Sequence, residues 1–388
     1  MRRISANYVF PVDGPPIRNG IVETEDDGTI IKVYDFGGEM RELAHTEFLN
    51  GVLVPGFINM HTHLEYAWMD RVQPKGQGMA HFIKHMMASK APKNALDEIQ
   101  KADNFMYSNG IVAVVDIANT PQTIDIKKKS PIRYYTFTEI TGLDPDNAKQ
   151  RAEHIGDITN QYVAAGLKAS PTPHAPYSVS KQLWNELQTV LATGKPVSIH
   201  NQESKAENEL FLEGTGELIT LLKDLNIVDE WSPTDMSALQ SLPSFLFELP
   251  ILLVHNTFTS KEDVEFLIKN HKNKIGWVLC PESNQQITGN LPNINILEQS
   301  GFPIMLGTDS KASAYSLSLL DEIKLLQNTL SLPFEKMLNW VTLHPANIMG
   351  WNDLGSFTPG KKPGINLISS YDFKNHTLKD SAKIKKIL

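Results

Sequence analysis

From residue 54 onward the sequence alternates short apolar, β-branched runs with longer helical stretches. Eight such runs can be read: Val54–Met60, Ile111–Ile117, Arg133–Thr141, Leu167–His174, Pro196–His200, Ile251–His255, Ile275–Cys280 and Pro303–Thr308. Helical periodicity fills the intervals, as in Asn94–Ser108, Asp146–Ala165, Lys181–Ala192, Lys261–Asn270 and Leu317–Ser331. Eight strands alternating with helices over about 255 residues predict an α/β chain folded as a (β/α)8 TIM barrel. A doubly wound open sheet is the rival. No GxGxxG follows the first run, which weakens its dinucleotide-binding form.

The flanks read differently. Residues 1–55 are short strands punctuated by Asp13-Gly14, Asn19-Gly20, Asp27-Gly28, Gly37-Gly38 and Asn50-Gly51. After residue 350 the turn-rich LGSFTPGKKPGINLISSYD carries one strand at Ile365–Ser369. The two ends are expected to build one small flanking β-sandwich domain (1–55 with 351–388) beside a catalytic barrel at 56–350. The longest gap between runs, 201–250, holds helical text at Glu203–Leu225 and then Pro233, Pro243 and Pro250. An insertion of that size at a barrel mouth is expected to form a lid or a substrate wall.

Composition excludes several classes. Lys plus Arg number 36 against 44 for Asp plus Glu, a net charge of -8, which disfavours a nucleic-acid binder. The single cysteine, Cys280, permits no internal disulfide and no cysteine-rich zinc module. The N-terminus MRRISANYVFPVDGPP lacks the apolar core of a secretory signal, and no apolar stretch approaches the ~18 residues of a membrane span. A cytoplasmic enzyme acting on a small molecule is expected, with homo-oligomerisation open.

The chemistry lies at the ends of the runs. His61 and His63 stand two apart on an extended segment, so both point to one side and could share a metal. His174, His200 and His255 end the fourth, fifth and sixth runs, Glu203 lies one helical turn beyond His200, and Asp309 follows the eighth. Singly, His255 could be a hydrogen-bonded core residue and Asp309 a helix cap. Jointly, five of the twelve histidines and one aspartate fall on the rim where barrels carry their active sites. Histidine and carboxylate donors suit zinc, with iron or manganese also possible. His81 and His85 could only wall the pocket. His45, His154, His271, His344 and His376 read as surface or loop residues, Cys280 as core, and Lys379–Lys386 as a solvated edge.

These residues bring a resemblance with them. The ordered set PGFINMHTHLE, PHAPYSVS, SIHNQES, LLVHNTF, CPESNQQITGN, LGTDSKASAYSLSLLDEIK and LGSFTPGKKPGINLI resembles the amidohydrolase superfamily, in its metal-dependent aminohydrolase branch. The nearest likeness is to aminodeoxyfutalosine deaminases of the menaquinone route. The resemblance implies that His61, His63, His200 and Asp309 bind one divalent metal, that Glu203 and His255 flank the attacking water, and that His174 faces the substrate. Asp309 would take that water's proton, and Glu203 would protonate a ring nitrogen. Relatives with two metals bridge them through a lysine at the end of strand four; here that end is Thr172-Pro173-His174, so one metal is expected. Ser310 stands where many relatives have glycine. Glu65, Tyr66, Trp68 and His174 are candidates for the substrate's sugar or tail. The alternatives are deaminases of S-adenosylhomocysteine, methylthioadenosine or adenosine, other ring aminohydrolases or chlorohydrolases (guanine, cytosine or triazine type), and a catalytically dead assembly subunit. The last would be expected to lose ligands that this chain keeps.

Overall fold

The structure, a computed structural model, describes residues 1–41, 43–191, 194–228 and 231–388. The expected helix end at Ala192, and residues 229–230 of the 201–250 insertion, lie outside the described residues. The chain opens with β1 (Arg2–Val9), β2 (Ile17–Arg18), β3 (Ile21–Thr24), β4 (Ile30–Tyr34) and β5 (Thr46–Pro55). The eight expected runs are all strands: β6 (Phe57–Thr62), β7 (Ile111–Ala118), β8 (Arg133–Ile140), β9 (Lys168–Pro173), β10 (Val197–Asn201), β11 (Ile251–His255), β12 (Ile275–Leu279) and β13 (Ile304–Leu306). Between them run α1 (Met79–Ala88), α2 (Ala95–Ser108), α3 (Ile124–Lys129), α4 (Ala148–Ala164), α5 (Lys181–Val190), α6 (Lys205–Glu213), α7 (Glu217–Asp224), α8 (Lys261–Asn270), α9 (Pro281–Thr288) and α10 (Ile294–Gln299). After β13 come α11 (Leu319–Leu330), α12 (Phe334–Trp340), α13 (Leu343–Met349), β14 (Ile365–Ile368), β15 (Tyr371–Asp372), β16 (Thr377–Leu378) and β17 (Ile384–Lys386).

Local chemistry sets the helix ends. The hydroxyl of Ser180 accepts the Leu183 N–H at the start of α5, and Ser260 and Asp263 cap α8 reciprocally. Helical text at 203–225 does not make one helix: Gly214 turns left-handed (φ 69°) and separates α6 from α7. Among the described residues, no helix is long and apolar enough to cross a membrane.

The barrel strands form two parallel halves, β6-β7-β8-β9 and β10-β11-β12-β13, joined at two seams. At the β9/β10 seam Pro171 and Pro173 have no N–H to give. The Thr172 hydroxyl substitutes by donating to the Ser198 carbonyl, while it also accepts the Ser198 N–H (2.8 Å), and the His200 N–H reaches the His174 carbonyl (2.8 Å). At the β13/β6 seam the Asn59 side chain pairs with Thr308, and the N–H groups of Thr308 and Asp309 both donate to the His61 carbonyl (2.9 and 3.0 Å). Gly307 packs so closely on His61 that any side chain there would collide with it.

The two chain ends do pair: β14 lies antiparallel to β5. They form one mixed sheet, β17-β14-β5-β1-β3-β4 with β2 on β1, plus the separate β15-β16 hairpin. One face of this sheet packs on itself, with Ile4, Ala6, Val22, Ile30, Leu53 and Ile365 in a single apolar cluster. Phe357 packs in the same cluster, while Val52, Val54 and Ile368 join the cluster that contains the barrel helices. Asn50-Gly51 is not a turn either. It is a bulge inside β5, where two residues oppose Asn7 and the Gly51 N–H is accepted by the Asn7 side chain (2.8 Å).

Candidate metal centre

Strand ends deliver the expected side chains to one place. His61, His63 and His200 present ligand atoms within 4.8 Å of one another, and so do Glu203, His255 and Asp309. Nε2 of His63 lies 3.3 Å from Nε2 of His200 and 3.5 Å from Oδ1 of Asp309; Nε2 of His61 lies 3.6 Å from the same oxygen. Donors about 2.1 Å from a tetrahedral ion stand about 3.4 Å apart, so these four fit such an ion. Both ring nitrogens of His61 and Nδ1 of His63 are buried without a hydrogen-bond partner. Buried polar atoms seldom go unpaired unless something else satisfies them.

The surroundings orient the donors. Nδ1–H of His200 donates to the His174 carbonyl (2.9 Å), which leaves the Nε2 lone pair free to face the cluster. The Ser283 and Ser313 hydroxyls both donate to Oδ2 of Asp309 (2.7 and 2.6 Å), so Oδ1 is the oxygen turned toward the histidines. Burial works to raise the Asp309 carboxyl, but the nearby His61, His63 and His255 rings hold it well below the usual range. Burial lowers His63 to about 3, His255 to about 4 and His200 well below its ordinary value, which keeps these rings neutral, the ligand form. Burial, with Asp309 and Glu207 nearby, pushes Glu203 well above its ordinary value, which favours its protonated form.

Backbone strain is concentrated here. Gln202, His255, Asn256 and Asp309 are non-glycine residues with φ of 46°, 73°, 57° and 55°. Glu203 therefore reaches the pocket through a left-handed kink at Gln202, not along a helical turn. The kink is held by Glu207, whose carboxylate accepts the N–H groups of Gln202, Glu203 and Ser204 (3.0, 2.8 and 3.1 Å). Oε2 of Glu203 then sits 3.5 Å from Nε2 of His255.

The cluster forms the floor of a cavity of about 760 Å³. Its outer wall is apolar, with Phe82, Ile83 and Met86 from α1 facing Leu218, Leu221 and Leu222 from α7. Tyr66 and His174 line the cavity; Glu65 and Trp68 are not among its described lining residues. Glu65 is fully buried, and its carboxylate receives the backbone and side-chain donors of Asn119 and Thr120 (2.9–3.2 Å). Trp68 packs on the core. His81 and His85 do not wall the pocket: they bond the carbonyls of Gln73 and Asp70, on the loop preceding α1. His344 is no idle loop residue, since its Nδ1 is tied to the Ile304 carbonyl at the start of β13 (2.8 Å). Sequence reasoning missed Glu139, Asp116, Glu207, Ser283 and Ser313. Glu139 and Asp116 left a signal, a charge inside an otherwise apolar or hydroxylic strand; the serines left none.

The amidohydrolase family model matches residues 52–387. The chain belongs to the amidohydrolase family. This amidohydrolase is 24% identical to the adenosine deaminase of Helicobacter pylori, over 93% of this chain and 90% of the relative. Its fold matches the crystal structure of Helicobacter pylori aminofutalosine deaminase in complex with methylthio-coformycin with a TM-score of 0.84, at 22% identity, covering 97% of this chain and 94% of that one. An adenosine deaminase from Xanthomonas campestris with bound zinc matches with a TM-score of 0.68 at 19% identity, covering 97% and 86%.

Proposed function

We propose that this amidohydrolase is a metal-dependent hydrolytic deaminase of 6-aminopurine nucleosides, with aminodeoxyfutalosine as its preferred substrate. One observation carries the reading: a buried set of three histidines and Asp309 meets Glu203 and His255 on the floor of a cavity of about 760 Å³. His61, His63, His200 and Asp309 would hold one divalent ion, zinc before iron or manganese on donor type. A single ion suits the end of β9, which offers no lysine; Lys168 is exposed at the strand's other end. When bound, such an ion lowers the pKa of water from about 15.7 to roughly 7.

The chain's own residues carry the protons. Asp309, locked by Ser283 and Ser313, takes a proton from the attacking water at Oδ1. His255 aligns that water by hydrogen bonding. Glu203 donates its proton to a ring nitrogen of the substrate, which makes the amine-bearing carbon electrophilic. Water adds to that carbon, a proton passes to the amino group, and the C–N bond breaks. One water enters, one ammonia leaves, and a ring carbonyl remains. The apolar wall suits an aromatic tail. Among the described residues lining the cavity, Arg151 is the only lysine or arginine, and it suits the carboxylate of a benzoate. The name of the Helicobacter pylori relative in sequence supports adenosine as the second candidate.

The test is ammonia release by zinc- or iron-loaded protein from aminodeoxyfutalosine, adenosine, methylthioadenosine, S-adenosylhomocysteine, guanine and cytosine. The expected result is the highest kcat/KM on aminodeoxyfutalosine. A higher value on another nucleoside moves the substrate and keeps the chemistry. No ammonia from any of them overturns the deaminase reading.

A further inference from the structure

Glu139 ends the third barrel strand, and no proton step above uses it. Its side chain is 5% exposed and lines the cavity, yet Oε1 has no hydrogen-bond partner. Oε2 receives one long bond, 3.4 Å, from the Asn119 side chain, which also lines the cavity. A buried carboxyl oxygen without a partner is unfavourable, and a donor on a ligand would relieve it.

Glu139 clusters with His174 and His200, their ligand atoms within 4.8 Å of one another. A second cation is the first reading of such a trio, and the hydrogen bonds argue against it. Nδ1 of His200 is 3.5 Å from Oε1 of Glu139, but its proton is committed to the His174 carbonyl at 2.9 Å. Its Nε2 faces His63. His200 therefore has no lone pair to give on the Glu139 side. What remains there is an uncommitted carboxyl oxygen beside an amide. A hydroxyl both donates and accepts, so it pairs with a carboxyl group in either protonation state. Two adjacent hydroxyls can engage the carboxyl and the amide together.

We propose that Glu139, with Asn119 beside it, forms a polyol subsite that takes the vicinal hydroxyls of a ribose and so selects ribosides over free bases and deoxy sugars. The proposal rests on the nucleoside reading above, and it assigns the sugar to these two residues in place of Glu65 and Trp68.

The experiment compares adenosine with 2′,3′-dideoxyadenosine on the metal-loaded wild type and on Glu139→Leu and Asn119→Ala. The wild type should favour adenosine by about 10²-fold in kcat/KM, as expected from the cost of leaving a buried polar group unpaired. Glu139→Leu, which removes both the donor and the acceptor, should remove most of that preference. It should lower the adenosine value by about tenfold or more and leave the dideoxy value within about twofold, with metal content unchanged. Asn119→Ala should shift the preference in the same direction if the first variant fails to fold. Equal losses on both substrates would overturn the subsite and leave Glu139 as a residue that orients His200. Calorimetric binding of inosine against 2′,3′-dideoxyinosine reads the same preference without turnover. Diol preference without ammonia release would refute the deaminase chemistry and keep the subsite; ammonia release without diol preference would do the reverse.

Discussion

Lys127 on α3 and Asp116 near the end of β7 form an ion pair whose side chains are both fully buried, 2.5 Å from Nζ to Oδ2. Lys127 also donates to Thr136 (2.9 Å) and lies 4.8 Å from the ring centre of Tyr162. The other oxygen of Asp116 accepts the N–H of Leu64 (2.8 Å), the residue after His63. Lys127→Met keeps most of the side-chain length and removes the charge. Asp116 must then remain charged without a partner or take up a proton. At pH 7 neutralising a carboxyl group of ordinary pKa, about 3.9, costs about 4 kcal/mol. That falls inside the ~3–5 kcal/mol measured when a buried pair loses one member. For 388 residues an unfolding entropy of about 2.1 cal/mol/K per residue amounts to about 0.8 kcal/mol/K, so Tm should fall by about 5 °C. The folded variant would hold a proton that the unfolded chain releases above about pH 3.9. The penalty therefore shrinks as pH falls, to about 1.5 kcal/mol and about 2 °C at pH 5. The double variant Asp116→Asn, Lys127→Met has no charge to neutralise and should recover most of the loss at pH 7. Thermal unfolding followed by circular dichroism at pH 5, 6 and 7 tests all three proteins. A penalty equal at pH 5 and pH 7 would refute the reasoning, as would a double variant no more stable than Lys127→Met.

Glu203→Gln should keep its metal, measured by elemental analysis, and lose about 10²–10⁴-fold in kcat; full activity would remove Glu203 from its acid role. Asp309→Asn should abolish ammonia release, and an active variant would show that the proton goes elsewhere. Dialysis against a chelator should lower Tm, and zinc added back should raise it with the logarithm of its concentration; a Tm indifferent to both would mean that the four donors hold no ion. Burial lowers the Lys386 ammonium to about 8. The unfolded chain then binds a proton that the folded one sheds between about pH 8 and 10.4, so stability should rise with pH across that window. Lys386→Met should not show this rise, and a wild-type-minus-variant difference that stays flat from pH 8 to 10 would count against it.

The barrel was legible because its strands are buried on both faces and read as unbroken apolar runs. The metal-type donors were legible because a parallel barrel gathers the C-terminal ends of distant strands. The substrate wall was less so. Glu65 follows the His61–His63 pair so closely that it looks like a site residue, but the short 3-10 turn at Leu64–Tyr66 sends Tyr66 to the cavity and Glu65 under the Asn119–Thr120 turn. Glu139 is a lone carboxylate in a strand of apolar and hydroxylic residues, and no histidine beside it in sequence marks it as part of a site. Ser283 and Ser313 could not be found, because only the fold brings them to Asp309. Asn50-Gly51 misled for a simple reason: a bulge and a turn make the same demand on the backbone.

The seam where β13 meets β6 sits under the donor cluster, so the last joint of the barrel and the candidate active site are one place. During synthesis His61 emerges 248 residues before Asp309, and the fourth donor arrives only when the final strand can be laid in. A nascent chain can offer an ion its histidines, but it cannot enclose one. Completion of the pocket is thereby timed to completion of the barrel, and an ion held across the seam would tie the chain's early and late parts into a single cooperative unit.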